Sequence, residues 1–356
     1  MAKGKAAGSV RTGIEPPKRR GDAVMSGVIL HDLVVQRESK SFTDSLYAIL
    51  TAAGLFEGPK YMLSALSGMA FIFTVHERLL PLSVTAYGQW VTVHKRAADS
   101  LGIYTVTDGG RTRHPTFAYY QQDAVQWIKA SLDRGLGVIY WIPEFGVIHG
   151  YDDEDRIFYV QDGNSKENRM VLYDNLGLNF TPFWYAQIFG DKVEIPASDR
   201  LLESLRMAID DWNAPYPVPP DCSIASGRNA YSYLTRALRQ QDFDASGAVY
   251  ILESYQQSRQ EMMYFLQDAI LLFPELKEAF ILYEHIVGLC KSPDMMDCLD
   301  VKNRAIRLSG IPSLILAMEE AESLEEKAVN VFRGIAGNYP DLKRSTIPRW
   351  GLHMAR

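Results

Sequence analysis

The sequence predicts an α+β fold: short helices and an antiparallel sheet in the first half, then a mostly helical second half. Three observations carry this. Helix signals come before the first clear strands, and the strand signals that follow, up to KVEIPA, read as a largely antiparallel sheet. After Ser198 the apolar residues recur at 3.6-residue spacing with little strand signal.

The elements follow in order. DSLYAILTAAG predicts a short helix, with Leu46, Leu50 and Ala53 on one face, Thr43 or Asp44 as the cap, and Gly54 as the stop. KYMLSALSG predicts a second helix. AFIFTVHE and GIYTVTDGG are rich in β-branched and aromatic residues. TFAYYQQDAVQWIKASLDRG reads as a helix closed by Gly135, and GVIYWI as the next strand. EFGVIHGYDDEDRIFYVQD reads as two strands around an acidic turn. RMVLYDNLG and KVEIPA complete the strand set. SDRLLESLRMAIDDWN then predicts a helix capped by Ser198 or Asp199. After the proline-rich spacer APYPVPPDCS come four helical stretches, with Pro274 and Pro312 at helix starts, where a missing N–H costs little.

The 356 residues suffice for one large or two ordinary domains, and 47% hydrophobic residues can fill a normal core. The organisation read from this is a basic, disordered arm at 1–24, an α+β domain at 25–198, a helical domain at 199–340 and a tail at 341–356. A net charge of −6 argues against general attraction to nucleic acid. Cys222, Cys290 and Cys298 are too scattered for a disulfide framework or zinc cluster, which fits a reducing cytoplasm. The apolar stretch after the arm is interrupted by His31 and Asp32, which argues against a signal peptide. No run reaches the roughly 20 apolar residues of a membrane helix. The chain has no phosphate-binding loop, dinucleotide turn or HExxH motif, and no cofactor is expected.

DSLYAILTAAG, LSGMAFIFTVHE and GLGVIYWIPEFGVIHGYDDEDRIFYVQD together resemble the N-terminal domain of the butirosin biosynthesis protein H family. GRNAYSYLTRAL and YQQSRQEMMYFL resemble the helical region that follows it. The resemblance spans residues 30 to 270, and its strongest motif is the strand–GYD–strand–D unit ending at Asp162. It implies a papain-like fold related to the double-glycine peptidases. The family's named member moves an acyl group from a carrier-protein thioester to an aminoglycoside amine, so the implied partners are an amine-bearing small molecule or peptide and an acyl carrier protein.

Matched to that pattern, the nucleophilic Cys falls on Ser45, the His on Glu144, the orienting acid on Asp162 and the oxyanion Gln on Ser39, with Gln36 nearby but off register. One position of four keeps the family residue, as expected of a retired protease-like site.

Two functions follow. In the first, the cleft binds an amine or peptide through Glu144 and Asp162 in secondary metabolism, without Cys/His catalysis. In the second, Ser45 attacks an acyl or amide group, helix-start N–H groups hold the oxyanion, and His149 or Glu144 takes the proton. Alternation along a strand puts Glu144 and His149, five apart, on opposite faces unless a bulge intervenes, so the hairpin register decides which shares a face with Asp162. The plainer alternatives are a helix-start hydroxyl for Ser45, a half-buried strand residue for His149 and an ion-paired carboxylate for Glu144. Further candidates for the pocket wall are His76 at a strand end, Trp141, Tyr151 of the GYD motif, and Arg228, which opens a helix; core or surface is the plainer reading of each. His76 and His94 are 18 apart, which is no metal signature. The helical half is a candidate homodimer surface.

Overall fold

A computed structural model describes residues 27–165, 169–213 and 223–340. In chain order they form β1 (Gly27–Ile29), α1 (Ser41–Ala52), α2 (Lys60–Leu66), β2 (Thr74–His76), α3 (Trp90–Ser100), β3 (Ile103–Arg111), α4 (Phe117–Asp133), β4 (Val138–Trp141), β5 (Phe145–Asp152), β6 (Ile157–Gln161), β7 (Arg169–Leu172) and β8 (Phe183–Lys192). There follow α5 (Ala197–Asn213), β9 (Ile224–Ser226), α6 (Arg228–Gln240), α7 (Ala245–Ala269), α8 (Lys277–Cys290), α9 (Pro293–Cys298), β10 (Leu299–Asp300), β11 (Ala305–Ile306) and α10 (Ile311–Asn338). The expected arm, the proline-rich spacer with Cys222, and the tail at 341–356 lie outside the described residues.

The chain is mixed α and β, with an antiparallel sheet and a helical C-terminal region. The main sheet runs β3-β8-β4-β5-β6-β7, every pair antiparallel, and β1 pairs with the far end of β5. Asp152 starts the acidic turn between β5 and β6 by accepting the N–H groups of Glu154 and Asp155.

Several elements depart from the sequence reading. β8 carries no alternation because it lies between β3 and β4, where Trp184, Tyr185, Ala186 and Gln187 are all buried. KVEIPA supplies only the last strand residue: Val193 N–H reaches Gly102 O and the chain then turns into α5. Only Thr74–His76 of AFIFTVHE is strand, and its partner is the distant β9 rather than the main sheet. α1 starts at Ser41 with Lys40 before it, so Thr43 and Asp44 lie inside the helix rather than capping it. α5 likewise begins at Ala197, with Ser198 and Asp199 already in its first turn.

Two cores sandwich the sheet. One lies under α4 and collects Ile148, Tyr151, Phe158 and Val160. The other is continuous from Phe42, Leu46 and Phe145 through to α7, α8 and α10, so the helical half packs on the first half without a solvent boundary. α7 comes so close to the loop before α3 that a Cβ at Gly247 would lie 2.0 Å from Leu79 O. Gly247→Ala is expected to cost about 1–3 kcal/mol by overpacking, read as a lowered urea midpoint.

Polar contacts also bridge the halves. Tyr61 donates to Asp268 at 2.7 Å and Ser64 to Glu261 at 2.5 Å. Arg259 and Glu325, both buried, pair at 2.8 Å, and Arg259 also donates to the carbonyls of Ala70 and Phe71. Tyr231 and Tyr283 donate to the same Glu325 carboxylate. Cys290 and Cys298 are buried free thiols outside any disulfide, and burial pushes Cys290 up to about 12, which removes thiolate reactivity. Among the described residues, no helix is long and apolar enough to cross a membrane.

Candidate functional site

The hairpin residue Glu144 is held by backbone first. β4 and β5 are joined by Ile142, Pro143 and Glu144, with Trp141 opposite Phe145 and Ile142 N–H donating to Glu144 O at 2.9 Å. This link forces Glu144 to φ 146, a region that a side chain rarely adopts and that costs about 1–3 kcal/mol. Strain of this kind concentrates at functional positions. Tyr250 of α7 donates to Glu144 Oε1 at 3.0 Å, and Oε2 is enclosed without a hydrogen-bond partner. Burial and the Glu144 charge push the Tyr250 hydroxyl well above its ordinary value, so it stays a neutral donor.

The start of α1 lies beside this residue. Ser41 Oγ accepts Phe145 N–H at 3.3 Å, and Arg37 donates to Phe145 O at 2.9 Å through one guanidinium nitrogen while Nη1 is enclosed without an acceptor. Asp44 accepts the N–H groups of Glu38 and Ser39 and pairs with Lys60 at 3.0 Å, which fixes residues 37–40 against the helix. Lys40 turns the other way and donates to Ser258 at 2.7 Å, next to a cavity of about 10 Å³, room for one water.

An aromatic wall supports the site. His94 of α3 stacks on Phe42 with ring centres 3.5 Å apart, and its Nε2 shares a 2.7 Å hydrogen bond with Tyr87. Burial holds His94 well below its ordinary value, so it is neutral. Trp141 packs on Trp90 and Phe145, and its indole N–H donates to Thr181 at 3.0 Å.

The candidates separate as follows. Ser45 is fully buried in the second turn of α1, and its hydroxyl has no hydrogen-bond partner. It is therefore neither at the helix start nor served by His149 or Glu144. The helix-start serine is Ser41, one turn earlier. The bulge falls at His149: Ile148 pairs with Val160 and Gly150 with Tyr159. It shifts the alternation, so Phe145 and Val147 face the α1 core whereas Ile148 and Tyr151 face the α4 core. The His149 ring, almost fully buried, lies 6.4 Å from Tyr159. Tyr151 is on the opposite side of the sheet from the α1 core and donates to Asp133 at 2.8 Å.

Asp162 stands behind neither Glu144 nor His149. Its Oδ1 accepts Asn164 and Ser165 N–H, and its Oδ2 pairs with Arg169 at 2.7 Å. Burial would raise its carboxyl, but those N–H groups, Arg169 and Arg37 outweigh burial and lower it. It shapes a turn. Gln36 is exposed and meets Lys60 through its carbonyl. His76 ends β2, and its Nδ1 accepts Arg78 N–H. Arg228 pairs with Glu322 and Glu326 of α10. Of the candidates, Glu144 and Trp141 thus belong to the hairpin site.

The residues that the sequence reading passed over are Arg37, Ser41 and Tyr250, and His94 was weighed there only as a metal ligand. Ser41 was within reach, since it sits one turn before Ser45 on the same helix face. Tyr250 comes from 106 positions away and carried no local signal. No protein-family model matches the chain, and a search of curated proteins finds no match either.

Proposed function

We propose that the chain binds an amine-bearing small molecule or the amino end of a peptide at Glu144, on a papain-like scaffold of the butirosin protein H type, without nucleophilic catalysis. The carrying observation is the Glu144 carboxylate: a strained, half-buried acid with one oxygen held by Tyr250 and the other lacking a donor. An enclosed acceptor of this kind gains most from a charge-assisted N–H donor. Ser41 Oγ meets Phe145 N–H and Ser45 Oγ has no hydrogen-bond partner, so neither is served by an imidazole, and a carboxylate is a weak base for a serine hydroxyl.

Calorimetric titration with ethanolamine, glycinamide and a Gly-Gly-terminated peptide tests this. At least one is expected to bind, and Glu144→Gln is expected to weaken binding tenfold or more at unchanged melting temperature. Absence of binding by all three overturns the reading.

A second reading, acyl or amide transfer, rests on Ser41 at the first turn of α1 beside Phe145 N–H. A fluorophosphonate adduct on Ser41, lost in Ser41→Ala, would replace the binding reading with this one. An adduct on the enclosed Ser45 is not expected.

A further inference from the structure

The sheet ends on one side at β3, nine residues long, whose one partner strand among the described residues is β8. The hydrogen-bond phase of that pairing can be read from the structure. Thr112 N–H donates to Pro182 O, one step beyond the Arg111–Phe183 pair. Alternation along an antiparallel ladder then turns the main chain of Gly110, Asp108 and Val106 towards β8, and that of Arg111, Gly109, Thr107 and Thr105 away from it. Apart from the Gly109 N–H, which the Asp108 carboxylate accepts, these outward N–H and C=O groups form an edge of the kind that accepts another strand.

The face next to that edge is also uncovered. Tyr104 and Val106 are 64% and 45% exposed, and a Cβ at Gly110 would meet open space. Natural edges are commonly blunted by proline, lysine or an inward charge. IYTVTDGGR contains no proline or lysine; its charges are the exposed Arg111 and the half-buried Asp108.

We infer that β3 pairs antiparallel with β3 of a second copy of this chain, extending the sheet across a two-fold axis at Thr107. A strand edge needs a strand as its occupant, and this strand is self-complementary. With Thr107 opposite itself, Thr105 meets Gly109 and Ile103 meets Arg111, so outward main-chain groups face outward groups. Asp108 lands opposite Val106 and Tyr104 opposite Gly110, so no like charges oppose each other. The two Tyr104–Val106 patches then lie side by side on one face of the continuous sheet. Such an interface is isologous and closes at two copies.

The test is the mass of the full chain in solution by light scattering, at about 50 µM where a weak interface of modest size is populated. Twice the chain mass is expected. Thr107→Pro removes an outward N–H without touching the β8 ladder, and Val106→Lys places charge on the face. Thr107→Pro is expected to give the single-chain mass with a melting temperature within error of the parent. Loss of the dimer in both variants, or in Thr107→Pro alone, supports main-chain pairing. A wild-type chain of single mass overturns the inference, as does a dimer that Thr107→Pro leaves intact.

Discussion

Glu325→Ala is expected to be the most damaging single change in the helical half. The carboxylate is buried and answers Arg259, Tyr231 and Tyr283 at once. Its removal strands a buried guanidinium, because burial opposes the Arg259 charge and the Glu325 carboxylate is the first of the groups that offset that cost. Breaking a buried pair from one side costs about 3–5 kcal/mol, and a loss of that size lowers the melting midpoint by on the order of 10 °C. Arg259 also donates to Ala70 and Phe71, so the damage is expected to reach the junction between the halves. Circular dichroism melts of Glu325→Ala and Glu325→Gln check this. Glutamine keeps an acceptor for the tyrosines and should recover part of the loss. Equal melting temperatures for wild type and the alanine variant would mean that water reaches Arg259.

Lys40→Met is expected to act in the opposite direction, and to do so with pH. Burial first, and the neighbouring Arg259 charge second, bring the Lys40 ammonium down from 10.5 to about 8. The folded state therefore binds fewer protons than the unfolded chain between about pH 8 and 10.5. Stability must rise with pH through that window, and below it the folded protein carries the whole cost of the buried charge. That cost is up to about 3 kcal/mol at neutral pH. Methionine fills similar space without charge, so Lys40→Met should exceed the wild type in stability at pH 7, with the gap closing towards pH 10. Urea unfolding at pH 7, 8, 9 and 10 gives the comparison. A gap that does not change with pH would show that Lys40 contributes through packing alone. The buried tyrosines, all raised by burial, contribute stability that is fully present below about pH 10 and is lost as pH climbs above it, so the comparison stops at that point.

Both changes sit where the two halves meet, and both concern groups whose partners are far away in sequence. The same separation explains the site. Glu144 was legible as the residue at the hairpin, because the strand–GYD–strand pattern and the acidic turn are local. Its donor was not, because Tyr250 sits on α7 and reads there as one more aromatic on a helix face. Ser45 was legible as a helical serine, but its depth was set by where α1 starts. Lys40 and the Asp44 carboxylate, which gathers the N–H groups of Glu38 and Ser39, settle that start.

What the sequence by itself determined is the local part: apolar spacing, turn residues and helix stops that define most helices, the β5–β6 hairpin and the mixed α and β class. Period and turn chemistry act within a few residues, so they can be read without a partner. The tertiary structure alone decided three things. It assigned β8 to the sheet centre, where burial on both faces erases alternation. It placed the bulge at His149, which sends Tyr151 to the α4 side. It brought α7 over the hairpin, so that Tyr250 meets Glu144. Each of these depends on which distant surface covers a residue, and burial by a distant surface leaves no periodic trace along the chain.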